Sequence, residues 1–357
     1  MYLPCLTNVT SGIRMAARIV DAPCNEMNVS AFLEEAKIVA KETNSELTII
    51  QGEELKEKGL NGIYYVGKAA SCPPALAVLS KVHPNATTTI AWVGKGIVYD
   101  CGGLSLKSKT EMPGMKADCG GAAAILGAFS AAVKLGFNQN LHAVLCLAEN
   151  AIGPNATRND DIQTFYSGRT VEINNTDAEG RIVLADGVVY ASRDLNATII
   201  LDMATLTGAQ GTSTGKYHGG LLSNSQEWEE CSVRAGKACG DLLMPMVYSP
   251  ELHFSEFASV VADMKNSVAD RYNAQASCAG LFILSHLGFD FNGAWIHVDM
   301  AELAVSGERA TGYGVALLVT MFCEYIDDKL LNSLKKQVAM PGGQSVKDSS
   351  RKRLRLN

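Results

Sequence analysis

Two carboxylates stand two residues apart in Asn174-Asn175-Thr176-Asp177-Ala178-Glu179-Gly180-Arg181. In an extended segment, residues i and i+2 point to the same side. Asp177 and Glu179 would then present their oxygens together, which suits one or two hard or borderline cations. Gly180 and Arg181 open an amphipathic run, 182–191, that reads as a helix. An Arg in that first turn stands at an anion-binding helix start, because the free N–H groups and the helix dipole favour negative charge.

Four further ionisable groups keep unusual company. Lys95 sits between Gly94 and Gly96 at the end of an apolar strand. Asp100 follows five residues later. Lys107 comes after Gly102-Gly103-Leu104-Ser105-Leu106. Asp118 opens an Ala-rich helix, where the dipole favours a carboxylate. Each has an ordinary role if taken alone: a helix cap for Asp118, a solvated surface for the lysines, a polar turn for Asp177 and Glu179. Together, three Asp and one Glu among glycines and apolar elements would repel one another unless cations neutralise them.

The elements that must position these groups alternate between strand and helix. Helical spacing covers 13–19 and 29–40, with Asn28 or Ser30 as a cap. Residues 47–50 and 62–66 read as short strands. Runs 76–82, 88–99, 141–149, 197–204 and 295–301 are apolar and in part β-branched, the pattern of strands buried on both faces. Helices are expected over 117–135, 182–191, 227–238, 274–287 and 314–327, with loops over 150–168 and 206–220. Alternation from about residue 75 onward predicts βαβ units. The expected fold is α/β, a three-layer α/β/α catalytic domain around a central mixed, mostly parallel sheet. Sites in such sheets lie at the carboxyl ends of strands, where Asp100, Glu149, Asp202 and Asp299 fall.

Composition narrows the function classes. The chain has 357 residues, 47% hydrophobic and 19% charged, with a formal net charge of -6. That gives no electrostatic footprint for nucleic acid. The one basic cluster, 351–355, reads as a solvated tail. Ten cysteines show no Cys-x-x-Cys pair and read as thiols of a reducing compartment. No apolar run approaches membrane-spanning length, and no basic segment precedes an apolar core at the amino terminus. A cytoplasmic protein with no membrane partner is expected.

Gly94-Lys95-Gly96-Ile97-x-x-Asp100-x-Gly102-Gly103-Leu104-x-Leu106-Lys107, Met115-Lys116-Ala117-Asp118-x-Gly120-Gly121-Ala122-Ala123 and Asn175-Thr176-Asp177-Ala178-Glu179-Gly180-Arg181 resemble the leucyl aminopeptidase family, also called the cytosol aminopeptidase or M17 peptidase family. Ala204-Thr205-Leu206-Thr207-Gly208-Ala209 and His297-x-Asp299-Met300-Ala301 fit as well. The ending over 307–314 is closer to the probable aminopeptidase-like branch than to the animal cytosolic leucine aminopeptidase. The resemblance covers about residues 12–330.

The resemblance implies a metalloaminopeptidase with two divalent metal ions. Lys95, Asp100, Asp118 and Glu179 would hold the tighter one. Asp100, Asp177 and Glu179 would hold the exchangeable one, with the Asp177 carbonyl added. Zinc suits the set, with manganese or magnesium possible at the exchangeable position. The implied roles of the remaining residues follow. Lys107 stabilises the oxyanion, and Asp118 helps receive the free α-amine of a peptide. Arg181, with the Leu206 backbone, holds a bicarbonate general base. Met115, Thr205 and Gly208 edge the pocket for the first side chain, and Asp100 and Asp177 also face the substrate.

The resemblance also implies a homo-hexamer and, before the catalytic domain, a separate α/β domain. This chain begins at the helix that would follow that domain. Residues 1–70 are therefore expected to be linker helices and the start of the catalytic domain, loosely packed for want of a neighbour. Residues 71–335 would be the catalytic domain and 336–357 a disordered basic tail.

Two other readings compete. Gly211-Thr212-Ser213-Thr214-Gly215 matches the nucleophile-elbow spacing of serine hydrolases, but no strand precedes it and no helix follows. His218 and His297 read as loop and core histidines. A catalytically silent scaffold is the other alternative. It is opposed by the intact set Lys95, Asp100, Asp118, Asp177, Glu179, Lys107 and Arg181.

Overall fold

In a computed structural model describing residues 3–338, eight strands form one mixed sheet. Their spatial order is Glu46–Gln51, Ala75–Lys81, Asn140–Asn150, Thr89–Asp100, Ile199–Ala204, Ala294–Asp299, Gly219–Ser223 and Leu243–Pro245. The four central strands, Asn140–Asn150 through Ala294–Asp299, run parallel. Antiparallel pairings flank them on both sides, so the expected mixed, mostly parallel sheet is present.

Alternation along the strands explains the layers. Ile90 and Trp92 point into one core, and Ala91 and Val93 into the other. Over the first face lie the helices Leu3–Asp21, Val29–Thr43, Gly120–Lys134, Gln226–Cys239, Val315–Met321 and Lys329–Val338. Asn61–Gly67, Gly180–Arg193 and Gln275–Leu287 cover the second. Both faces of the central strands are dry, which is why their sequences are continuous apolar runs.

Several local expectations fail for tertiary reasons. Residues 62–66 are helical, within Asn61–Gly67, although Ile63, Tyr64, Tyr65 and Val66 favour strands. Asp186 of the Gly180–Arg193 helix accepts the Ile63 N–H at 3.2 Å, capping a turn that propensity alone would not form. The expected loop over 206–220 contains a helix, Gly208–Thr214, started by the Thr207 side chain accepting the Gln210 N–H. It then enters the strand Gly219–Ser223, whose glycines and serine hid its fully buried pattern.

The amino-terminal segment is not loosely packed. Ile19, Val20, Phe32, Leu33 and Val39 are buried in the first core. The end of the first helix is tied down by Lys116 Nζ, which donates to the Asp21 carbonyl at 2.5 Å, and by Arg309 Nε, which donates to the Asp21 carboxylate at 2.8 Å. At the other end, the Lys329–Val338 helix carries ordered structure past residue 336. The basic cluster 351–355 lies outside the described residues. No helix among the described residues is long and apolar enough to cross a membrane.

Candidate metal centre

The carboxyl ends of the parallel strands bring the acidic residues together. The Thr89–Asp100 strand contributes Lys95 and ends on Asp100. It then enters a tight loop at Gly102 and Gly103, whose φ of 85° and 62° are costly for any residue with a Cβ. That loop folds back so that the Lys107 N–H donates to the Cys101 carbonyl. Asp118 lies in a 3-10 turn, Met115–Cys119, that leads into the Gly120–Lys134 helix.

Asp177 and Glu179 reach the site by a route other than strand alternation. The Ala178 N–H bonds back to the Asn175 carbonyl, forming a turn, and Glu179 has helical dihedrals as the residue before Gly180–Arg193. The pair converges because the chain bends there.

One oxygen from each of Asp100, Asp177 and Glu179 lies within 4.8 Å of the others. Lys95 Nζ stands 2.6 Å from Asp118 Oδ1 and 2.9 Å from Glu179 Oε1, and also donates to the Thr205 carbonyl at 2.7 Å. Lys107 Nζ spans Asp100 Oδ2 at 3.0 Å and Asp177 Oδ1 at 2.6 Å. Lys95, Asp100 and Glu179 are each 2% exposed and Asp118 is buried too, so water screens these three carboxylates little, whereas Asp177 is more open. Gly180 lets this form: a Cβ there would sit 2.6 Å from Lys95 Cε.

Electrostatics follow from that crowding. Burial pushes the Asp118 carboxyl well above its usual range, opposed by Lys95 and reinforced by Glu179 and Asp100. Burial raises Asp100 and Asp177 likewise, with the neighbouring lysines pulling the other way. For Lys95, burial alone would favour the neutral amine, but Asp118, Glu179 and Asp100 outweigh it and raise its pKa. Lys107 is raised for the same reason by Asp100 and Asp177. Two ammonium groups against four carboxylates leave the cluster formally short of positive charge.

The donor set fits divalent cations. Asp118 Oδ2 and Glu179 Oε2 are buried without a hydrogen-bond partner, which is costly for carboxylate oxygens unless something positive meets them. Arg181 fits an anion by the same test. Arg181 is 4% exposed, and its guanidinium donates from Nη1 to the Asn266 carbonyl at 3.0 Å and leaves Nε unpartnered. Burial pulls its pKa down to about 10, against the pull of Glu179. The Leu206 N–H already reaches Asp299 Oδ1, at a long 3.2 Å.

Around this centre, Thr205 Oγ1 donates to Asp118 Oδ1 at 2.9 Å. Met115 is half-buried, and Gly208 is exposed with open space where a Cβ would be. Ser213 lies on the Gly208–Thr214 helix and donates to the Gln210 carbonyl, so its segment is no nucleophile elbow. His218 is exposed. His297 is fully buried, its Nδ1 2.5 Å from Asp202, in the core role expected of it.

Two polar residues that carry the site have no role assigned by the sequence reading. Thr176 Oγ1 donates to the Gly102 carbonyl at 2.7 Å and accepts the Ser105 N–H at 2.8 Å, stitching the two acidic segments together. Asn150, expected to begin a loop, instead ends a strand beside Asp100. Its position at a strand's carboxyl end was the available signal.

Comparison with known proteins places the chain in a family. A family model described as "Cytosol aminopeptidase family, catalytic domain" matches residues 14–319. The chain is 65% identical to "Probable aminopeptidase NPEPL1" of Homo sapiens, over 99% of this chain and 68% of that protein. It is 50% identical to "Leucine aminopeptidase 1" of Caenorhabditis elegans, over 91% of this chain and 67% of that protein. A solved Caenorhabditis elegans leucine aminopeptidase superposes with a TM-score of 0.90 at 49% identity, covering 92% of this chain and 67% of that one. A leucyl aminopeptidase of Trypanosoma brucei, solved with bestatin, gives 0.88 at 47% identity, over 90% and 62%. The chain therefore spans about two thirds of the length of these relatives.

Proposed function

Because the chain belongs to the cytosol aminopeptidase family, a family of metalloaminopeptidases, we propose that it releases amino-terminal residues from peptides at the Lys95–Glu179 centre. Lys95, Asp100, Asp118 and Glu179 would hold one divalent ion, and Asp100, Asp177 and Glu179 the other. Zinc is the expected ion at the tighter position, and zinc, manganese or magnesium at the second. When bound, a pair of such ions would polarise a carbonyl and lower the pKa of a water to near neutrality.

The protein's own groups do the rest. Lys95 must give up its proton to serve as a ligand, which a neighbouring dication favours. Asp118, with an oxygen free, receives the peptide's α-amine, restricting the reaction to free amino termini. Lys107 keeps its charge and faces the carbonyl oxygen that becomes negative, an electrostatic role. Arg181 and the Leu206 backbone would hold bicarbonate, the proposed source of a base. Met115, Thr205 and Gly208 border the first side chain. A cytoplasmic homo-hexamer acting on peptides completes the proposal, on the strength of the family resemblance.

The observation that carries this reading is the set of buried, unpartnered carboxylate oxygens beside Lys95. The test is hydrolysis of a leucyl anilide and of its N-acetylated form, each with added zinc or manganese. Cleavage of the free-amine substrate alone is expected. Equal cleavage of both would refute the role given to Asp118 and the free amino terminus.

A further inference from the structure

Asn150 touches both segments that carry the acidic residues. The strand it ends runs parallel to Thr89–Asp100, and the register slips between Ile97 and Asp100, so that Asp100 comes to face Asn150. The slip is a bulge, a device that re-aims a side chain. Asn150 is 5% exposed. Its Nδ2 donates to Asp100 Oδ1 at 2.8 Å and to the Thr176 carbonyl at 3.1 Å, which commits both amide hydrogens.

The consequence lies on Asp100. Its Oδ1 also accepts the Gly102 N–H at 2.8 Å, so one oxygen is held by two donors. Oδ2 is the oxygen left to the Lys107 ammonium, at 3.0 Å. The same amide grips the carbonyl one residue before Asp177. We propose that Asn150 is a positioning residue that fixes which oxygen of Asp100 is offered to the cations and sets the spacing between Asp100 and the Asp177–Glu179 turn. This rests on Asp100 being a metal ligand, as proposed above. Residues that hydrogen-bond a ligating carboxylate change metal affinity by about 10–100-fold when removed.

The experiment titrates Mn²⁺ into the full chain and into Asn150→Ala and Asn150→Leu, following free Mn²⁺ by its electron paramagnetic resonance signal. Asn150→Leu nearly preserves volume, so it serves where the smaller side chain leaves a damaging cavity. Both variants should bind Mn²⁺ about 10–100-fold more weakly. Turnover of a leucyl anilide should recover as Mn²⁺ is raised, with KM close to wild type. A merely structural lesion would not recover with metal. Wild-type affinity in either folded variant, turnover that stays low at saturating Mn²⁺, or loss of the folded state in both would overturn the proposal. Asp100→Asn separates the two claims. If Asp100→Asn binds Mn²⁺ as wild type does, the ligand assignment itself fails. If it loses Mn²⁺ while the Asn150 variants do not, only the positioning role fails.

Discussion

Lys107 and Lys95 are chemically alike but differ in what surrounds them. Lys95 is buried against Asp118, Glu179 and the Thr205 carbonyl. Lys107 is more open and spans Asp100 and Asp177 from the loop side. Lys107→Ala should therefore lower kcat on a leucyl anilide by about 10²–10³-fold, the scale of losing one oxyanion donor. Metal content, measured by elemental analysis, should hold or rise, since a competing cation has gone. A parallel fall in metal content would make Lys107 a ligand or a folding residue. The acidic residues were legible in the sequence because carboxylates beside glycines and apolar runs are conspicuous. The path that joins Asp177 to Glu179 was not. Alternation along a strand suggested a shared side, whereas a hydrogen-bonded turn produces it. The roles of Asn150 and Thr176 were not legible, because neutral polar side chains acquire meaning only from their partners.

The helix Gly180–Arg193 shows how one element serves both site and scaffold. Its start holds Glu179 and Arg181 in place, and its middle carries Asp186, fully buried. The Asp186 carboxyl accepts the Ile63 N–H at 3.2 Å and the Tyr166 N–H at 2.9 Å. Burial raises its pKa from 3.8 to about 7, more than those backbone donors lower it. The folded state thus holds a proton that the unfolded state has released. That contribution to stability is full below about pH 4 and is lost as pH rises through about 7. Asp186→Asn imitates the protonated form, so it should gain on the wild type across this interval. The gain is bounded by about 1.4 kcal/mol per pH unit, and urea denaturation from pH 4 to pH 8 would measure it. A constant difference would show that Asp186 does not titrate there. The same residue explains why 62–66 is helical despite its strand-like sequence. Ile63, Tyr64, Tyr65 and Val66 suit a pleated surface, and the carboxylate that caps them as a helix lies more than a hundred residues away.

At the scale of the molecule, the sheet was the most legible feature, because long apolar β-branched runs leave few alternatives. The seating of the amino-terminal helix was not legible, since it depends on two glycines distant in sequence. Gly12 and Gly127 meet where Leu3–Asp21 crosses Gly120–Lys134, and a Cβ on Gly127 would stand 2.5 Å from the Gly12 carbonyl oxygen. The obstacle is backbone and cannot rotate away. Gly127→Ala should destabilise the fold by about 1–3 kcal/mol, as overpacking does, read as a lower urea midpoint. An unchanged midpoint would mean that the first helix is not seated on the core. The same contact bears on the site, because the end of that helix is anchored to Lys116, between Met115 and Asp118. In the proposed function, carboxylates gathered from separate loops hold two catalytic ions. Glu179 tests it most directly, since one oxygen meets Lys95 and the other is unpartnered. The deciding measurement is leucyl-anilide hydrolysis by Glu179→Gln beside the unmodified chain, with zinc or manganese present. Hydrolysis by the unmodified chain and none above background by the variant is expected. Activity retained in Glu179→Gln would contradict it.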